Sequence, residues 1–297
     1  KVFFFDSEEF EEIILHYLDI GKANLAKKAL KLGLDQHPKS TGLKLVQVEM
    51  LVYDDKLDQA EKLLNELYAI EPTNEEIFIQ KANIYSKRDQ HEKAVEYLNI
   101  ALKYTEDFAD VYNLIGMEYL FMDNLEQAKQ SFIKCLEEDI EDQSALYNVV
   151  YCYEFLDQNL EAIEYLKTYI ERNPYSEIAW HQSGRLYYGL KDYENAVRAF
   201  EFSTYIDDEF IGAYMEMGKA QERLKKYDEA IESYQRTIEL DDPTSYALLR
   251  IGKCYEKLGN KVEALKYFNK TVHEDPLLDK GWIAITDFYV RQKNFQK

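Results

Sequence analysis

The sequence predicts an all-α chain in which one helix-turn-helix unit recurs along the whole length. Three observations carry this reading. Alanine stands at 26, 60, 94, 128, 162, 196, 230 and 264, each 34 residues after the last. Within each interval the apolar residues fall into two runs with helical spacing. Glycine and proline are scarce, 11 and 5 in 297 residues, while hydrophobic residues make up 46%. That balance favours helix over a many-turned β fold and excludes a disordered chain.

Registering the chain on the alanines sets the units at 7, 41, 75, 109, 143, 177, 211 and 245, with a ninth starting at 279 and residues 1–6 as a lead-in. The recurrent alanine is then position twenty. Position four reads Phe10, Lys44, Phe78, Tyr112, Leu146, Trp180, Tyr214, Leu248 and Trp282. Position eleven reads Tyr17, Leu51, Tyr85, Tyr119, Tyr153, Tyr187, Gln221, Tyr255 and Tyr289. Positions four, seven, eight and eleven share a helical face, so the first half of each unit is an amphipathic helix. The second half carries Leu30, Leu64, Leu98, Phe132, Leu166, Phe200, Tyr234 and Phe268 four residues beyond each alanine.

Punctuation agrees with this division. Asp55, Asp89, Asp123 and Asp157 stand at position fifteen, where a carboxylate is expected to cap the second helix. Glu92 and Glu126 would complete capping boxes with Asp89 and Asp123. Pro38, Pro72, Pro174 and Pro276 share position thirty-two, where the second helix should stop. Gly218 and Ala230 are expected to let paired helices approach closely, with Tyr214 and Tyr234 filling the space beside them. Val150 and Tyr169 are larger than their positions call for and should open the crossing in the fifth unit.

These residues resemble the tetratricopeptide repeat, a helix-turn-helix unit of the same length. Its pattern pairs a small residue at position eight, met here by Ala82, Gly116, Gly184, Gly218 and Gly252, with the alanine at twenty and aromatics at four, eleven and twenty-four. The resemblance covers residues 7–297. It implies a right-handed α-solenoid of stacked units, eight full and one half, whose concave groove is lined by the first helices and binds extended peptides or proteins. The ninth unit stops one residue before the next expected alanine, and the first residue is Lys. The expectation is a fragment of a longer array.

By the same resemblance, positions two, five, nine, twelve and thirteen face the groove. In the first four units these hold Glu8, Glu11, Asp19, Glu49, Glu76 and Asp110 against Lys87 alone. In the later units they hold Arg185, Lys219, Arg223, Lys253, Lys257, Lys280 and Arg291 against Glu222, Glu256 and Asp287. A chain of net charge −20 thus carries a cationic stretch near its C-terminal end. Between the charged halves lie Met117, Leu120, Phe121, Tyr147, Tyr151, Phe155, His181 and Tyr188. The candidate site is therefore Phe121, Tyr147, Tyr151, Phe155 and Tyr188 as an aromatic anchor, with Arg185, Lys219, Arg223, Lys253 and Lys257 selecting an acidic segment. The competing reading is that the aromatics pack on neighbouring helices and the cations pair with nearby Glu.

Other chemistries find little support. His16, His37, His91, His181 and His273 have no metal-ligand spacing, and no phosphate-binding or nucleophile-elbow motif occurs. No catalytic residue, metal or cofactor is assigned. Asp207–Asp208 and Asp241–Asp242 fall at unit junctions as solvated turns. Asn83 at position nine is joined by Ile79 at position five, so the carboxylate clamp of some relatives is not legible. The acidic balance disfavours nucleic acid, and no apolar run is long enough to cross a membrane. Cys135, Cys152 and Cys254 are odd in number without C-x-x-C spacing, reading as buried thiols of a reducing, cytoplasmic compartment. The leading expectation is a non-enzymatic scaffold with a protein or peptide partner. An accessory array of a larger enzyme or secretion or assembly machine, and an array that associates end to end with itself, are the alternatives.

Overall fold

The computed structural model describes residues 4–240 and 244–291. Asp241 and Asp242 therefore lie outside the described residues, as do Lys1 and Lys297. The fold is an all-α solenoid of tandem helix pairs, with seventeen helices and no strand among the described residues. Two compact units divide the chain, Lys1–Cys152 and Tyr153–Lys297.

The first unit contains α1 (Ser7–Asp19), α2 (Ala23–Gln36), α3 (Thr41–Tyr53), α4 (Leu57–Tyr68), α5 (Glu75–Lys87), α6 (His91–Ala101), α7 (Phe108–Phe121) and α8 (Leu125–Glu138). Helix α9 (Gln143–Phe155) runs through the division. The second unit continues with α10 (Asn159–Arg172), α11 (Glu177–Gly189), α12 (Tyr193–Ile206), α13 (Ile211–Arg223), α14 (Tyr227–Leu240), α15 (Ser245–Lys257), α16 (Lys261–Glu274) and α17 (Asp279–Arg291).

All eight recurrent alanines have no exposed surface. Tyr234 fills the space at Gly218, as expected. The position-eight residue receives the bulky side chain at position twenty-four of its own repeat. A Cβ added at Gly116 would lie 2.6 Å from the Phe132 ring, at Gly184 2.5 Å from Phe200, at Gly218 2.7 Å from Tyr234 and at Gly252 2.6 Å from Phe268. Where position eight carries Ile14, Val48, Ala82 or Val150, position twenty-four is instead leucine: Leu30, Leu64, Leu98 and Leu166. Glycine thus accompanies a ring and a larger residue accompanies leucine, which keeps the packed volume of the pair near constant.

Position fifteen is not a helix N-cap. Asp55, Asp89, Asp123, Asp157, Lys191 and Lys225 adopt φ between 56 and 64°, and Gly21 and Gly259 adopt 69 and 79°. The preceding helix ends in a Schellman turn here: the amide of position sixteen bonds the carbonyl of position eleven, as in Gln90 N–H to Tyr85 O at 2.9 Å and Lys226 N–H to Gln221 O at 2.9 Å. Asp tolerates this left-handed conformation better than most residues, which explains its recurrence. Capping falls one residue later, where Asn124, Asp192 and Asn260 accept from Gln127, Asn195 and Glu263 N–H. First helices are capped from Asp6, Ser40, Asn74, Ser176 and Thr244.

The tyrosines of position eleven are half-buried and often face a partner at position twenty-three. Tyr85 stacks on Tyr97 at 5.2 Å and Tyr255 on Tyr267 at 5.6 Å. Where Gln221 stands in place of tyrosine the partner is exchanged too: Ser233 Oγ donates to Gln221 Oε1 at 2.7 Å, and both are buried. A polar pair has replaced a ring pair, so the Ser233 hydroxyl is not stranded.

Candidate functional site

Helical spacing assembles the cationic residues on facing surfaces within the second unit. On α13, Lys219 and Arg223 are one turn apart, and on α15 Tyr246, Arg250, Lys253 and Lys257 form a single stripe. With Tyr188 of α11, Tyr227 of α14 and Arg291 of α17 they line a concavity of about 560 Å³, together with Glu222 and Glu256. Of the residues expected in the site, the structure gathers Tyr188, Lys219, Arg223, Lys253 and Lys257 here.

Six cations meet two carboxylates in this pocket, and both carboxylates are already engaged. Arg250 Nε donates to Glu222 Oε1 at 2.7 Å, and Arg291 Nη1 donates to Glu256 Oε1 at 3.0 Å. Glu222 also accepts from the Tyr234 hydroxyl at 2.7 Å. Tyr234 is the ring that fills the gap at Gly218, so the core itself fixes the carboxylate that fixes Arg250. Burial opposes the Arg250 charge, but Glu222 and Tyr234 outweigh it and hold that guanidinium's pKa above its usual range.

The remaining cations lack such compensation. Among the described residues, Lys219, Arg223, Lys253 and Lys257 have no carboxylate within 4.0 Å. Lys219 sits 5.7 Å from the centroid of the Tyr246 ring and Arg250 6.0 Å from the same centroid. Arg223 Nε donates to the Tyr188 hydroxyl at 3.4 Å. The Lys253 pKa is lowered, first by burial and then by Arg250, with Lys280 adding to the effect against Glu222 and Glu256. A bound anion would relieve this repulsion.

Arg185 stands apart: its Nη1 donates to Gln182 Oε1 at 2.8 Å and its Nη2 lies 3.6 Å from Glu154. It does not line the concavity. The other aromatic candidates also stand outside the pocket. Phe121, in the first unit, is 59% exposed and stacks on His91 at 5.2 Å. Tyr147, Tyr151 and Phe155 follow one another at one-turn intervals along α9, all exposed. His181 is no groove residue. It is buried against Phe200 and Phe210, and burial, then Arg185, push its pKa down to about 4.

Sequence reasoning missed Arg250, Tyr246 and Tyr227. Tyr246 occupies position two, one of the inward positions, and was legible by register. Arg250 occupies position six, and only its tie to Glu222 across α13 and α15 brings it into the site. The first unit presents the opposite charge. Glu49 has a raised pKa from burial and then from Glu76, and Asp110 from burial and then from Asp107, Asp142 and Asp139. Among the described residues, no group of three or more His, Cys, Asp or Glu is placed to hold a metal ion, and no helix is long and apolar enough to cross a membrane. The three cysteines are buried free thiols, their pKa values pushed up by burial to about 12, 11 and 12 in chain order.

Comparison with known proteins accords with this architecture. Profiles described as tetratricopeptide repeat match residues 51–117, then 109–139, 143–176 and 178–210, and finally 215–278. Anaphase-promoting complex subunit 3 of Schizosaccharomyces pombe is 25% identical over 147 residues, 50% of this chain and 22% of that protein. The cell division cycle protein 27 homolog of Caenorhabditis elegans is 30% identical over 92 residues, 31% of this chain and 12% of that protein. The matched stretches are thus a minor part of either relative's length. Among solved structures, the C-terminal part of a TPR repeat-containing protein from Cytophaga hutchinsonii aligns with a TM-score of 0.63 at 16% identity, over 81% of this chain and 99% of that one. MamA from Desulfovibrio magneticus RS-1 aligns with a TM-score of 0.50 at 19% identity, over 58% of this chain and 98% of that one. At these identities the structural likeness is one of fold. The profile matches together span more than half of the sequence, and the chain belongs to the tetratricopeptide repeat family.

Proposed function

We propose that this chain is a non-enzymatic protein-interaction scaffold, and that the basic pocket of its second unit holds an acidic segment of a partner protein. The observation that carries the reading is the unequal charge of the pocket: six cations surround two carboxylates that Arg250 and Arg291 already occupy. In a chain of net charge −20, a recessed surplus of positive charge is destabilising unless an anion meets it. Tyr188, Tyr227 and Tyr246 supply rigid amphipathic walls of the kind that dominate binding hot spots. Apart from the pocket, each unit by itself offers exposed aromatics as apolar anchors for a partner, Phe121, Tyr147 and Tyr151 in the first and Phe155 in the second. One of the curated relatives is named as a subunit of a complex, which accords with a segment that works inside an assembly. A cytoplasmic setting, supported by the three free thiols, and end-to-end association, supported by the repeat architecture, belong to the same proposal.

The test is fluorescence anisotropy with a labelled glutamate-rich peptide carrying a central phenylalanine. Reversing Lys219, Arg223 and Lys253 to glutamate should weaken binding by at least about 100-fold, since three attractions to the acidic segment become repulsions. Affinity that survives the triple reversal unchanged would remove the pocket from the mechanism.

A further inference from the structure

Around Arg250 the cations are not merely numerous; they line one recess. Lys219 and Arg250 flank the same Tyr246 ring, at 5.7 and 6.0 Å from its centroid. Arg223 and Lys253 line the same recess as Arg250. Glu222, held by Tyr234 and Arg250, is the one carboxylate paired within this group of four cations among the described residues. Three positive charges are therefore left over along the wall of one recess. One glutamate or aspartate of a peptide brings a single charge and two acceptor oxygens, and would leave most of that surplus unmatched. A phosphoryl group brings close to two charges and three acceptor oxygens, and arginine forks suit it bidentately.

We infer that the group seated in this recess is the phosphoryl group of a phosphorylated serine or threonine in the partner's acidic segment. This rests on the reading of the pocket as the partner-binding site and specifies the chemistry within it. A phosphorylated peptide is favoured over an anionic membrane because the four cations line a recess of about 560 Å³ in a strongly acidic chain, whose remaining surface a flat anionic bilayer would repel. Binding is then switched by the partner's phosphorylation state, with no change required in the scaffold.

Three immobilised degenerate peptide libraries, fixed at the centre as serine, glutamate or phosphoserine, test this with the full chain. The phosphoserine library should bind at least about tenfold more tightly than the glutamate library, the advantage expected of a charge-assisted, multi-oxygen acceptor. Lys253→Gln and Lys219→Gln should each reduce that ratio toward unity while weakening the glutamate library less, with circular dichroism unchanged. Equal binding of the phosphoserine and glutamate libraries overturns the inference while leaving the acidic-segment reading in place. Absence of binding to both overturns the two together. Binding to phosphatidylserine vesicles in place of any peptide overturns the inference in favour of a lipid surface.

Discussion

Replacing Gly116 by alanine sets two opposed effects against each other, and the structure says which one wins. In a helix interior, alanine is favoured over glycine by about 1 kcal/mol. At this site, however, the new Cβ would meet three atoms of the Phe132 ring at 2.6, 2.7 and 2.8 Å, about 1 Å inside the optimum for carbon contacts. Phe132 is fully buried, so the ring has no free space to yield into, and overpacking of this kind costs about 1–3 kcal/mol. The expected net change is a destabilisation of up to about 2 kcal/mol. Phe132→Leu alone should also destabilise, because it opens a cavity against Gly116. The double variant recreates the pair that the third unit already uses, Ala82 with Leu98. It should therefore be more stable than the sum of its parts, with a coupling of about 1 kcal/mol or more. Urea unfolding followed by far-ultraviolet circular dichroism measures all four corners of the cycle. Additivity to within about 0.3 kcal/mol would refute the idea that positions eight and twenty-four compensate one another in volume.

Further outcomes follow from the same packing and backbone geometry. Ala230→Leu places three extra carbons at a fully buried site and should cost about 1–3 kcal/mol, read from the urea midpoint. Lys191→Gly, at an exposed residue held at φ 64°, should raise stability by about 0.5–1 kcal/mol through relief of the left-handed conformation. An unchanged or lowered midpoint would contradict that strain. His181 has a folded pKa of about 4, below its unfolded value, so the unfolded chain binds its proton first as pH falls. Its contribution is complete above about pH 6.5 and is lost between there and about pH 4, amounting to at most about 3 kcal/mol. Comparing wild type with His181→Phe across that window isolates the effect, and parallel stability curves would argue against a buried neutral imidazole.

How much of this was legible in the residues varies by feature. The alanine register alone located the helix pairs, because a small residue buried at every crossing is a local requirement that a repeat cannot relax. The cationic stripe was legible for the same reason: Lys219, Arg223, Lys253 and Lys257 follow from helical spacing once the register is known. The role of Asp89 and Asp123 was misread, since a carboxylate suits both an N-cap and a left-handed turn, and only the backbone angle separates the two. His181 was misassigned to the binding surface because nothing in the chain order reveals that Phe200 and Phe210 enclose it.

By itself, then, the sequence determined the repeat, its two amphipathic helices and the sign of charge along the array, all of which depend on periodicity within a few turns of helix. Tertiary structure decided which cations are left without a partner. That outcome depends on long side chains reaching between helices, as Arg250 does to Glu222 and Arg291 to Glu256. Pairing of this kind is set by distances in space and leaves no period in the chain.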